Sequence, residues 1–193
     1  MEPTKVKQKK ALPELVKQFG LKNIMAASRL TKVVVNVGTG SRHEKGRVEL
    51  ISDRLAKITG QKPSSRPAKQ SIATFKSRQG DIVGVAVTLR GERMFGFLDK
   101  LLNVAIPRMR DFRGLSITGV DDMGNYTMGV KEHTIFPETA DEDLRDVFGF
   151  AATICTTAKN KAEATALLRA LGFPFKKVEE GKEAKAKKKD KKK

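Results

Sequence analysis

Apolar and polar positions change period several times along this chain, and each change marks an element. From Ala11 to Phe19 the residues Leu12, Leu15, Val16 and Phe19 fall at helical spacing, and Gly20 follows as a stop. Leu30 to Val37 holds a β-branched run, Val33, Val34, Val35 and Val37, which predicts a strand ended by Gly38 and Gly40. Val48, Ile51, Leu55 and Ile58 then recur at steps of three and four, giving an amphipathic helix over residues 44–58 closed by Gly60. Residues 61–84 carry two prolines and little periodicity, a connection of the length that compact domains reserve for functional or mobile loops. Val85 to Leu89 predicts a second strand. Residues 93–106 make the strongest helix, with Met94, Phe97, Leu98, Leu101, Leu102 and Ala105 on one face and Pro107 blocking its continuation.

Residues 108–128 read as loop, with a turn at 122–125 leading into a strand over Tyr126 to Val130. Phe150 to Thr157 is a further strand. Lys159 to Leu171 is a last amphipathic helix, capped by Gly172 with Pro174 just beyond. Internal repeats are not visible, and helices and strands mix without βαβ alternation. An α+β fold with an antiparallel sheet follows.

The 193 residues suffice for a single domain with long functional loops. Residues 1–10 read as a basic lead-in, 11–175 as the domain, and 176–193 as a lysine-rich tail expected to be disordered alone. That tail has ten lysines against four acids, a net of +6 out of +17, so the body still carries +11. A globular body this positive repels itself unless a polyanion neutralises it, and nucleic acid is the expected partner. An anionic membrane would need a terminal segment with one basic and one bulky apolar face, and no small-molecule substrate is suggested. The sequence has no window long and apolar enough to span a bilayer and no apolar secretory core, so a cytoplasmic protein is expected. Charge is uneven within the body. Residues 62–79 hold five cations and no acid, whereas 132–146 hold six acids against one arginine.

Catalytic chemistry finds little support. Gly38-Thr39-Gly40 follows a strand, but it lacks the third glycine of a dinucleotide fingerprint and the Gly-Lys-Ser/Thr of a Walker loop. His43 and His133 read as ordinary surface histidines, without metal-ligand spacing around them. Cys155, the single cysteine, falls in a strand and reads as an inert buried thiol. No enzyme activity, metal or cofactor is expected. Arg90, Arg93, Arg108, Arg110 and Arg113 bracket the strongest helix and suit phosphate contacts. With no tryptophan and one tyrosine, binding through phosphate and shape fits better than base stacking.

Six blocks go beyond fold class. They are Gly60-Gln61-Lys62-Pro63; residues 75–80, Phe-Lys-Ser-Arg-Gln-Gly; residues 87–94, Val-Thr-Leu-Arg-Gly-Glu-Arg-Met; residues 107–115, Pro-Arg-Met-Arg-Asp-Phe-Arg-Gly-Leu; residues 124–129, Gly-Asn-Tyr-Thr-Met-Gly; and Ile135-Phe136-Pro137-Glu138. In this order, across residues 10–176, the chain resembles the universal large-subunit ribosomal protein number five in its bacterial form. The resemblance implies helices covering one face of the sheet, and a ribonucleoprotein role in translation. That role is to bind 5S rRNA and attach it in the central protuberance, beside large-subunit rRNA and other ribosomal proteins.

The positions that match the family's 5S rRNA contacts are Asn36, Gln61 and Thr88, whose side chains can hydrogen-bond to ribose hydroxyls and base edges. Lys62, Arg90 and Arg93 would hold phosphates beside them. The loop from Ser71 to Ile82 matches the family's projection toward the P-site tRNA. There Ser71, Lys76, Arg78 and Gln79 would face tRNA, and Phe75 or Ile72 would anchor the loop base. A third contact, with small-subunit head protein number thirteen across an intersubunit bridge, gives the acidic segment a basic partner. Glu138, Asp141, Glu142 and Asp143 suit it, while Arg110 and Arg113 face either that bridge or the large rRNA. The lysine-rich tail departs from the family, whose members end soon after the Phe173-Pro174-Phe175 motif. An extra-ribosomal RNA chaperone or translational regulator using the same surface is the alternative reading.

Overall fold

The computed structural model describes residues 2–39, 45–110, 112–139 and 147–176. Five strands form one sheet: β1 (Leu30–Gly38), β2 (Ser64–Pro67), β3 (Ile82–Leu89), β4 (Tyr126–Val130) and β5 (Phe150–Thr156). Their spatial order is β2-β3-β1-β5-β4, and every neighbouring pair is antiparallel. The α+β expectation and the antiparallel sheet hold.

Side chains alternate across a strand, so one phase of each must be buried if helices cover a single face. Val33, Val35 and Val37 of β1, Val85, Val87 and Leu89 of β3, Phe150, Ala152 and Ile154 of β5, and Tyr126, Met128 and Val130 of β4 are all buried. They share one core with Ile51, Leu55 and Ile58 of α2 (Lys45–Thr59), Met94, Phe97 and Leu98 of α3 (Gly91–Lys100), and Ala164, Leu167, Leu168 and Leu171 of α5 (Lys161–Leu171). Ala11 and Leu15 of α1 (Thr4–Phe19) complete it.

Three expectations about the elements change. The first helix starts at Thr4, so most of the lead-in is helical and Pro13 lies inside the helix. Its start is fixed from a distance: the backbone N–H of Thr4 donates to Asp99 Oδ1 at 2.7 Å and its hydroxyl to the same oxygen at 2.5 Å. A side chain 95 residues away leaves no local trace. Strand β2 lies within the segment read as loop. All four of its residues are exposed, because it is an edge strand without a hydrophobic phase, and Pro67 sits at its register shift. Pro107 does not end the strong helix. After Lys100 the chain widens into a π-turn over Leu101–Ala105 and closes with a last turn, α4 (Ile106–Arg108), which contains the proline. A π-turn moves the preceding carbonyls away from the ring that would strike them.

The sequence placed His133 on the surface, but it is fully buried. Its ring stacks on Phe148 with centroids 4.1 Å apart, Nδ1 accepts the Phe148 N–H at 3.3 Å, and Nε2 lies 3.4 Å from the buried Arg54 guanidinium. The pairing joins segments too far apart in the chain for spacing to reveal it. His43 lies outside the described residues. Cys155 does fall in a strand, but on its half-buried phase rather than in the core.

Candidate nucleic-acid interface

The second phase of the sheet faces away from the helices. Opposed residues in an antiparallel pair share a face, so the register assembles this surface row by row. One row runs Ser64, Ala86, Asn36, Ala151, Gly129 from β2 to β4, and the next runs Thr88, Val34, Thr153, Thr127. Lys32 opposes Cys155 further along, and Arg66 opposes Gly84 at the other end. All of these residues are exposed or half-buried except Gly84 and Ala86. Apart from Val34 and Cys155, the surface is built from Gly, Ala, Ser, Thr and Asn with two cations, and none of these positions is acidic. Short side chains keep it shallow, and hydroxyls and amides supply donors and acceptors.

The predicted contacts Asn36, Gln61 and Thr88 come together here. Asn36 and Thr88 sit on adjacent strands in adjacent rows. Gln61, at the end of the α2 connection, reaches the sheet by donating its Nε2 to the Thr88 carbonyl at 3.3 Å. Lys62 is exposed in the same connection, and Arg90 and Arg93 are exposed at the start of α3. Reading the sequence missed Ser64, Ala151, Thr153, Thr127 and Gly129. The signal was the polar phase of the alternating strands β4 and β5, which only pairing assigns to the same face as Asn36.

The loop between β2 and β3 projects with its own bracing. Ile72 and Ser77 exchange backbone hydrogen bonds of 3.0 and 3.3 Å, Ser71 Oγ accepts the Gln79 N–H at 2.9 Å, and the Arg78 N–H donates to Asp81 Oδ2 at 2.8 Å. Lys76 adopts φ of 50°, a left-handed conformation rare outside glycine, at the tip of the turn Ala73–Phe75. Phe75 and Ile72 do not anchor the base: they are 64% and 44% exposed. Backbone pairing, rather than apolar packing, holds this loop.

Arg110 and Arg113 are exposed and line a groove of about 760 Å³ along edge strand β4, with Lys131, Glu132, Phe112 and Leu115 among its walls. Glu138 is not among the groove's residues. It lies in the turn Pro137–Thr139, where Oε1 accepts from Lys100 Nζ at 2.6 Å, and the same ammonium donates to the Ile58 carbonyl at 2.8 Å. Burial alone would raise the Glu138 carboxyl. The Lys100 hydrogen bond, a backbone hydrogen bond and the Lys100 charge outweigh it and hold the group below its ordinary range. A depressed pKa contributes stability above the unfolded value of about 4.3 and loses it as pH falls through the folded one. Glu138→Gln should therefore unfold more easily in urea at pH 7, by about 0.5 kcal/mol for so exposed a pair. That difference should vanish in acid; a gap unchanged from pH 7 to pH 2 would refute the ion pair's role. Asp141, Glu142 and Asp143 lie outside the described residues, as does the lysine-rich tail beyond Lys176.

Among the described residues no helix is long and apolar enough to cross a membrane. Residues 23–78 match the family model described as ribosomal protein L5, and residues 82–175 match the model of that ribosomal family's C-terminus. The chain is 47% identical to the large ribosomal subunit protein uL5 of Ureaplasma urealyticum, over 88% of this chain and 92% of that protein. It is 48% identical to uL5 of a Thermoanaerobacter species, over 87% and 94% of the two chains. Identity to uL5 of Cupriavidus metallidurans is 50% over the same shares. With relatives this similar over nearly their whole length and the two family models spanning the sheet with α2 to α5, the chain belongs to the ribosomal protein L5 family and is a constituent of the large ribosomal subunit in the cytoplasm.

Proposed function

We propose that this protein binds 5S rRNA on the helix-free face of its sheet and attaches it in the central protuberance, a structural rather than catalytic role. The observation that carries the reading is the face itself: wide, shallow, rich in hydroxyls and amides, and free of acids at its paired positions, in a body of strong positive charge. Asn36, Gln61 and Thr88 form its hydrogen-bonding centre, and Lys62, Arg90 and Arg93 neutralise phosphates at its margin. The braced loop from Ser71 to Ile82 extends exposed Lys76 and Arg78 to the P-site tRNA. Ser71 and Gln79 shape it, and Phe75 and Ile72 are free to touch the same ligand. A few solvated cations give contact weak enough to release with each translocation. The acidic stretch with Glu138, Asp141, Glu142 and Asp143 meets the basic small-subunit head protein number thirteen. Arg110 and Arg113, set in a groove apart from Glu138, favour rRNA over that bridge.

A competition titration of 5S rRNA against a scrambled RNA of equal length, over a salt series, tests the reading. The expected result is preference for 5S rRNA at every salt concentration, with log affinity falling by about 0.7 to 0.9 per neutralised phosphate for each log unit of salt. Equal affinity for the two RNAs would reduce the protein to a general polyanion binder and overturn the assignment.

A further inference from the structure

Gly129 has no structural reason to be glycine. It lies inside edge strand β4, exposed, with φ outside the left-handed region. No heavy atom lies within 4 Å of the position its Cβ would take. Its neighbours differ. A Cβ on Gly149 would come within 2.8 Å of the Val130 carbonyl oxygen, and one on Gly119 within 2.6 Å of the Thr127 carbonyl oxygen, so the packing of the protein itself demands those glycines. Glycine inside a strand weakens it and goes with a bulge, a bend or the close approach of another molecule; β4 pairs with β5 in unbroken register through Gly129, which leaves close approach.

The surroundings say what approaches. Gly129 ends the row Ser64, Ala86, Asn36, Ala151, in which only Asn36 rises above small side chains. Beside it the Thr127 and Thr153 hydroxyls lie 3.1 Å apart, one donating to the other, with acceptor capacity left over. Beyond the edge, Gly129 also lines the groove that holds Arg110, Arg113 and Lys131, against one described acid, Glu132. A low row through a hydroxyl pair, leading into a cationic groove, fits a phosphodiester backbone: close approach over the small residues, hydrogen bonds to 2′-hydroxyls, and charge at the exit.

We propose that the bound RNA backbone crosses the whole sheet along this row, passes edge strand β4 directly over Gly129 beside Thr127 and Thr153, and enters the groove under Arg110 and Arg113. This rests on the reading of the sheet face as the 5S rRNA site and extends it by two strands.

The test compares the full-length wild type, Gly129→Ala, Gly129→Val and Asn36→Ala for thermal unfolding and for binding of 5S rRNA and of a scrambled RNA of equal length at three salt concentrations. Valine favours strands, so Gly129→Val should keep its Tm or raise it by about 2 °C. Its Kd should nevertheless rise at least tenfold, with the alanine variant between, and the salt slope should become shallower, because RNA lifted off β4 loses its phosphate contacts with Arg110 and Arg113. A fall in Tm would show that β4 itself needs the glycine and would overturn the inference. Wild-type affinity in Gly129→Val, while Asn36→Ala still weakens binding, would overturn the crossing and leave the 5S site standing. Weakening by Gly129→Val of a protein that does not distinguish 5S from scrambled RNA would keep the crossing and overturn the 5S assignment.

Discussion

Replacing Asn36, Gln61 and Thr88 together by alanine is expected to weaken 5S rRNA binding by about a hundredfold, with little change in the slope against salt. Each neutral side chain accounts for a hydrogen bond of about 1 kcal/mol net, and three such losses approach 3 kcal/mol. None of the three carries charge, so the number of phosphates neutralised stays the same. Asn36 is exposed and Thr88 half-buried on the helix-free face, so neither truncation opens the core. Gln61 alone has an internal bond, to the Thr88 carbonyl, and its loss should cost stability by less than 1 kcal/mol. Isothermal titration or filter binding at two salt concentrations, with Tm as control, checks the result. Affinity within threefold of wild type would remove these residues from the site.

Phe136→Ala is expected to destabilise the fold by about 3 to 5 kcal/mol and to lower its Tm by roughly 10 °C. The side chain is wholly buried, with its ring 6.0 Å from Phe97 of α3 and 5.9 Å from Phe150 of β5. It is the ring through which the segment after β4 joins a helix to the sheet, and rigid neighbours on both sides cannot collapse into the space it leaves. Because the cavity opens on the helical side, the variant should still bind 5S rRNA with near wild-type affinity at temperatures where it is folded. Urea unfolding measures the first effect and titration at low temperature the second. A loss below 1 kcal/mol would mean that the site repacks freely.

Local pattern carried the elements whose cause is local. The valine run of β1, the three- and four-residue steps of α2, α3 and α5, and the strand Tyr126–Val130 each follow from the fit between side-chain period and a single buried face. Net charge pointed to an anionic partner, and the ordered motif blocks led to the family. Other features were set by contacts distant in sequence, which local pattern does not record. Asp99 starts the first helix at Thr4, Phe148 and Arg54 draw His133 inside, and β2 is a strand because β3 offers it an edge. The loop expected to rest on Phe75 or Ile72 is braced by its own backbone instead.

The same division runs through the site. Amino-acid type alone made Asn36, Gln61, Thr88 and the flanking cations candidates, since amides and hydroxyls suit sugars and bases while guanidinium and ammonium suit phosphates. That Thr127, Thr153 and Gly129 share a face with Asn36 depended on the register of β1 with β5 and of β5 with β4. A shift of one residue in either pairing would turn those side chains into the core. Strand alternation therefore determined two faces from sequence, and only tertiary pairing decided which residues from distant strands meet on the open one.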